Sequence, residues 1–387
     1  MHRISFLAIG FLLQCVLCQS TDIIYEKINQ LKINQFQVIG SHNSYRLRMD
    51  ENIFRWLSRF DSGVAEDLDF SHSTLEEQFS QFGIRQIELD IYYDPEGGLF
   101  NKRLGNSVSK DPVRPNFPEL MEPGLKILHF PDIDFMTNYL TFKHALAVIK
   151  KWSNEHPNHF PIFILIEAKD EGVSDKNPFL SLFGFVRPLE FGIDALNTID
   201  DEIRDVFGTD LEGVITPDNI RGDSESLEDV ILNGGWPTLG DSRGKVMFGL
   251  DNQGQVMADY ITGHPGLKGR ILFVEANPGT PEAAFIGMNT PNPEIEKRVQ
   301  QGYLVRTRAD TDTRQARSGD STRRDTALAS GAHFISTDYY TPDFRHKTSS
   351  EWSDYSVTLP GHVPVRINPV NGPTDLIGIE IEKNKTK

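Results

Sequence analysis

Cysteine is almost absent from this chain of 387 residues: Cys15 and Cys18 are its only two. Both lie in the first eighteen residues, so a chain trimmed there has no disulfide, no thiol nucleophile and no cysteine metal site. Its stability must come from a large apolar core, which this length can bury in one domain. Long apolar runs are also missing. The stretch from Ile4 to Cys18 is short, follows Arg3 and precedes Gln19-Ser-Thr-Asp22, which is the layout of a secretory signal peptide rather than of a membrane span. Residues 1–18 are therefore expected to be cleaved and the protein to be secreted and extracellular. Positive charge is scarce as well: 39 Lys and Arg face 55 Asp and Glu, a net −16 that becomes −17 without Arg3. That balance excludes nucleic acid as a natural partner, and a lipid surface would be met only transiently, through a bound cation or a local patch. No repeat or heptad run is present, and the chain is expected to act as a monomer. Residues 22–345 read as the catalytic domain, and 346–387 as an extension that packs on it or is partly flexible. One glycosylation acceptor, Asn384-Lys-Thr386, lies near the end.

What is abundant is alternation. Strand patterns recur at 36–40, 84–92, 125–130, 161–169, 245–250, 270–274, 302–308 and 333–339, with helical patterns at 140–154, 188–207, 226–233 and 322–330. Eight strands interleaved with helices predict an α/β fold, a distorted TIM (β/α)₈ barrel in a single domain, with a doubly wound open sheet as the alternative. The long connection 93–124, rich in Gly and Pro, has no helical period and marks a functional loop.

The strand at 84–92 has two chemically opposed faces. Ile87, Leu89 and Ile91 point one way and Gln86, Glu88 and Asp90 the other. Barrel enzymes carry their chemistry at the C-terminal ends of the strands. Reading those ends in order gives His42 and Asn43, then Glu88 and Asp90, then His129, then Glu167 and Lys169. Asn43, Glu88, Asp90 and Glu167 form an all-oxygen ligand set that suits one Ca²⁺ ion better than Mg²⁺, and suits neither zinc nor copper. His42 and His129 remain as acid/base groups, so phosphoryl transfer is the reaction class indicated.

Six segments together resemble one family. Ser41-His-Asn-Ser-Tyr45, Ile84-Arg-Gln-Ile-Glu-Leu-Asp90, Leu128-His-Phe-Pro131, Ile166-Glu-Ala-Lys169, Arg306-Thr-Arg-Ala-Asp310 and Phe334-Ile-Ser-Thr-Asp-Tyr-Tyr340 are similar to the calcium-dependent phosphoinositide-specific phospholipases C of the secreted, single-domain type. The resemblance covers about residues 34 to 340. It implies cleavage of an inositol phospholipid on the glycerol side of the phosphate by attack of the inositol 2-hydroxyl, giving diacylglycerol and inositol 1,2-cyclic phosphate. Carried over residue by residue, it implies calcium ligation by Asn43, Glu88, Asp90 and Glu167, with His42 and His129 as the catalytic pair. Two alternatives stay open from sequence: a related phosphodiesterase acting on glycerophosphodiesters or sphingolipids, and a secreted binding protein on the same barrel without turnover.

Further residues have two readings each. Lys169 either reaches the phosphate or neutralises neighbouring acids. Arg306 and Arg308 either bind substrate or pair with Asp310 or Asp312, and Tyr339 either stacks on the inositol ring or fills the core. Ile53, Trp56, Leu57 and Phe60 share a helical face that either enters lipid or packs inward. Arg221-Gly-Asp223 reads as a turn and cap.

Overall fold

The computed structural model describes residues 23–107, 117–176 and 184–382; the expected signal peptide and Asn384 lie outside them. Eight parallel strands close into a barrel: β1 (Phe36–Ser41), β2 (Gln86–Tyr92), β4 (Ile162–Ala168), β6 (Val246–Leu250), β7 (Leu272–Glu275), β8 (Ala283–Gly287), β9 (Leu304–Arg308) and β10 (Phe334–Thr337). Three short strands attach to this ring. β3 (Lys126–Ile127) runs antiparallel to β2, β5 (Val214–Ile215) parallel to β6, and β11 (Val365–Ile367) antiparallel to β1.

The seam between β1 and β2 is the distorted part of the ring, since the two strands pair only at Gly40 and Gln86. A Cβ on Gly40 would fall 1.8 Å from Gln86 Oε1, so only glycine admits the Gln86 side chain there. Beyond that point the edge of β2 at Ile91 and Tyr92 is left open, and β3 occupies it. This corrects the expected strand set. The stretch 125–130 is not a barrel strand but a two-residue edge strand running into the loop that holds His129. The missing barrel strand is β8, an Ala-Ala-Phe-Ile-Gly segment whose small residues give weak strand propensity. It follows β7 with no helix between, so the expected alternation also failed to mark it.

Paired residues of parallel strands share a face, so the register defines the barrel interior. Its lower part holds an aromatic cluster: the Phe163 ring stacks on Phe334 at 4.6 Å and meets Phe285 at 4.9 Å. Two layers higher the pairing of Asp90 with Glu167 brings two acids side by side at the mouth. Helices cover the outside. In Phe142–Glu155, capped by Thr141, the buried residues Phe142, Ala145, Leu146, Ile149 and Trp152 recur at helical spacing. The chain beyond 346 lies along the barrel, where Trp352, Tyr355, Val357 and Leu359 are buried and β11 pairs with β1. At the opposite end from the mouth, Glu382 ion-pairs with the buried Arg85 and accepts the Phe160 N–H.

Candidate active site and metal centre

β2 and β4 carry the acids upward together. One carboxylate oxygen each of Glu88, Asp90 and Glu167 lies within 4.8 Å of the others. Three acids this close repel one another, and two cations offset them: Arg306 Nη2 stands 2.5 Å from Glu88 Oε2, and Lys169 Nζ is 3.0 Å from Asp90 and 3.3 Å from Glu167. Even so, burial raises the Asp90 carboxyl to about 6 against the pull of Lys169, and burial likewise holds Glu88 well above its ordinary value. A site that penalises its own charged carboxylates in this way is stabilised by a cation.

Asn43 adjoins these acids, since the next residue, Ser44, donates its N–H to the Glu88 carbonyl and accepts the Glu88 N–H at Oγ. It follows β1 in a left-handed conformation, φ 48°, which asparagine tolerates better than most residues. Its Oδ1 is buried with no hydrogen-bond donor, a costly state that a metal ion would relieve. Three carboxylates and an orphaned amide oxygen, with no sulfur or imidazole among them, fit calcium.

Both histidines are held by a buried aspartate. His42 Nδ1 is 2.8 Å from Asp338 Oδ1, leaving Nε2 3.5 Å from Glu88 Oε1 and 3.3 Å from Arg308 Nη1. His129 Nδ1 is 2.7 Å from Asp134 Oδ2, on the loop that follows β3, which pairs with β2 one residue past Asp90. Each aspartate is fixed by an arginine: Arg308 Nη2 donates to Asp338 at 2.7 Å, and Arg46 grips Asp134 through Nε at 2.8 Å and Nη2 at 2.9 Å. Despite burial, these cations and the histidines hold both carboxyls below their usual range. Permanently charged aspartates select the Nδ1–H tautomer and leave Nε2 of each ring as the working atom. Burial, then the nearby Arg308 charge, lower the His42 imidazole well below its ordinary value although Asp338 pulls the other way.

The structure thus brings together His42, Asn43, Glu88, Asp90, His129, Glu167, Lys169 and Arg308. It does not bring Tyr339, which is 3% exposed and packs against Trp352 and Tyr355 under the C-terminal segment; the core-filling reading is the right one. Arg306 is 1% exposed and engaged with Glu88, Ser336 and Asn289. It braces Glu88 inside the barrel, and its partner is neither Asp310 nor Asp312. The aspartates Asp134 and Asp338 and the arginine Arg46 were not singled out from sequence. Asp338 stands one residue past β10 and was findable from the strand-end rule, whereas nothing local marks Asp134 or Arg46. Asp251 and Glu275 were missed by one residue each, because the expected strands stopped at 250 and 274. They extend the acidic wall, with burial pushing Asp251 up and Glu275 to about 8.

Fold and site together define the class of (β/α)₈-barrel phosphodiesterases with an all-oxygen metal centre. Residues 31–369 match the family model described as phosphoinositide phospholipase C, Ca²⁺-dependent. The chain belongs to this family, and with it to the phosphoric diester hydrolases. Among solved structures it is similar to a calcium-dependent phosphoinositol-specific phospholipase C from a Gram-negative bacterium, Pseudomonas sp. Its myoinositol-complex structure has 14% identity and a TM-score of 0.52, covering 88% of this chain and 97% of that one. Crystal form 1 of the apo protein gives 15% identity and a TM-score of 0.51, covering 88% and 96%. A Ca²⁺-dependent phosphatidylinositol-specific phospholipase C from Streptomyces antibioticus gives 16% identity at a TM-score of 0.46, covering 80% and 95%. At these identities the likeness to the Pseudomonas structures shows the fold alone. No curated protein sequence matches significantly.

Proposed function

We propose that this chain is a secreted phospholipase C that cleaves the glycerol–phosphate bond of an inositol phospholipid, releasing diacylglycerol and inositol 1,2-cyclic phosphate. The observation that carries this reading is the pair of aspartate-held histidines at the acid cluster, His42 beside Glu88 and His129 on the loop after the strand that pairs with β2 at Ile91. Cyclisation within a phosphodiester needs one group to take the hydroxyl proton and another to protonate the leaving oxygen, and this layout supports that division.

Asn43, Glu88, Asp90 and Glu167 would hold one Ca²⁺ ion. When bound, the ion offsets phosphate charge and makes the inositol 2-hydroxyl more acidic. His42 takes the 2-hydroxyl proton at Nε2 while Asp338 fixes its ring. The 2-oxygen bonds to phosphorus, the bond from phosphorus to the glycerol oxygen breaks, and His129, entering the step as the imidazolium paired with Asp134, gives its Nε2 proton to that oxygen. Arg308, its Nη1 beside His42 Nε2, steadies the negative phosphate. Lys169 balances Asp90 and Glu167 and supplies a second cation near the phosphate. The inositol ring lies over the acidic wall of Glu167, Asp251 and Glu275, which suits a polyhydroxylated ring. The protein works as a monomer and meets membranes transiently.

The test is to incubate the protein with phosphatidylinositol, with and without a calcium chelator, and follow products by phosphorus NMR. A chelator-sensitive cyclic phosphodiester signal is expected. Absence of that product from inositol lipids and inositol anchors overturns the reading. N-terminal sequencing of protein recovered from the culture medium checks secretion and cleavage near Cys18.

A further inference from the structure

Beside the His129 loop lies an apolar cleft of about 230 Å³ that the reaction above does not use, walled by Ile53, Trp56, Leu104, Ile133 and Phe185. The charge on its lining is Asp132, and that charge is already engaged. Asp132 is 1% exposed; Oδ1 accepts the Leu104 N–H at 3.0 Å and Oδ2 accepts the Val186 N–H at 2.7 Å. The Asp132 carbonyl also accepts the Gly105 N–H at 2.7 Å. One residue in the left-handed region, φ 73°, therefore clasps two separate rim segments to the loop between His129 and Asp134. That loop is itself closed by reciprocal hydrogen bonds of 3.0 Å between Phe130 and Asp134. The inner wall of the cleft and the mount of His129 are the same few residues.

A cleft with apolar walls and a satisfied charge offers a headgroup nothing to bind, whereas hydrocarbon loses water there at no polar cost. Resting on the function proposed above, the glycerol oxygen stands at His129, so the two acyl chains begin against this loop. We propose that the cleft takes the first methylenes of one acyl chain of the bound inositol phospholipid. The enzyme then reads the diacylglycerol side of its substrate as well as the inositol side. Each methylene that enters is worth up to about fourfold in kcat/KM, until the cleft is full.

The experiment uses dissolved monomers, so that no lipid surface takes part: glycerophosphoinositol and dibutanoyl-, dihexanoyl- and diheptanoyl-phosphatidylinositol below their micelle concentrations, at saturating calcium. The expected result is a steep rise of kcat/KM with chain length, read as the ratio to glycerophosphoinositol. Ile133→Trp and Ser107→Trp, each adding an indole to the cleft, should flatten that ratio. A chain-brominated dihexanoyl lipid should also quench Trp56 fluorescence, a signal lost in Trp56→Phe; the other tryptophans, Trp152, Trp236 and Trp352, are buried. A flat series from an active wild type, or a gradient that survives both fillings, overturns the cleft and leaves the phospholipase reading standing. No turnover of any member of the series overturns that reading and the cleft with it.

Discussion

His129 and Asp134 are five residues apart in sequence and 2.7 Å apart in space, Nδ1 to Oδ2, in a pocket where Asp134 is wholly buried. Asp134 is shared, because Arg46 from the segment after β1 holds it in a bidentate grip. Asp134→Asn should therefore lower kcat by about 100-fold or more by freeing the tautomer and tilt of His129. It should also cost about 3–5 kcal/mol in stability by leaving the Arg46 charge uncompensated. Rates on glycerophosphoinositol well below the melting temperature separate the two effects. Wild-type kcat in the folded variant would remove Asp134 from the mechanism.

Asn43 combines a left-handed backbone with an orphaned amide oxygen, and two substitutions separate these properties. Asn43→Gly keeps the backbone and deletes the oxygen, so calcium affinity by titration calorimetry should fall at least about tenfold with little loss of apo stability. Asn43→Ala should add about 1–2 kcal/mol of conformational strain, visible in urea unfolding. Equal calcium affinity in wild type and Asn43→Gly would exclude the amide as a ligand.

Asp90 and Glu167 share Lys169, so Asp90→Asn leaves a balanced Glu167–Lys169 pair and should fold normally. Calcium at about 100 times its dissociation constant should stabilise the wild type by about 2.7 kcal/mol, a shift of several degrees in Tm. The variant should show neither the shift nor calcium-dependent turnover. Full calcium-dependent activity in a folded Asp90→Asn protein would take Asp90 out of the site.

The stripe after β1 divides into two roles. Ile53 and Leu57 pack with Met49, Ala65 and Phe135, whereas Phe60 is 72% exposed, its ring 4.8 Å from that of Trp56. Ile53→Ala should cost about 2–5 kcal/mol. Phe60→Ala should leave stability within about 0.5 kcal/mol of wild type and weaken sedimentation with phosphatidylinositol vesicles. Undiminished sedimentation would show that Phe60 does not enter lipid.

Glu202 is a pH reporter away from the site. Its Oε1 accepts the Leu125 N–H at 2.9 Å, Oε2 is buried without a partner, and burial raises the carboxyl to about 7 against that hydrogen bond and two lysines. The unfolded chain releases this proton near 4.5, so between about pH 4.5 and 7 the native state binds more protons than the unfolded state. Stability then falls as pH rises through that window. Glu202→Gln keeps an acceptor for Leu125 and should be more stable than wild type at pH 8, by about 1–3 kcal/mol, with the difference vanishing near pH 4.5. Parallel urea curves at all pH values would contradict this.

The chain's own residues determined the barrel and most of its chemistry, because a strand alternates its faces without reference to its neighbours. Glu88 and Asp90 had to project together opposite Ile87, Leu89 and Ile91, and polar strand ends marked Asn43, Glu167 and both histidines. Which strands close the ring was decided by tertiary structure, since strand propensity is local and barrel closure is not. The strongly patterned 125–130 became an edge strand where β1 and β2 part, and the weakly patterned β8 became a wall. The same holds for Asp134, Arg46 and Asp338, and for the burial of Arg306 and Tyr339. A buried charge takes the partner that the folded chain brings within about 3 Å, and sequence spacing carries no information about that distance.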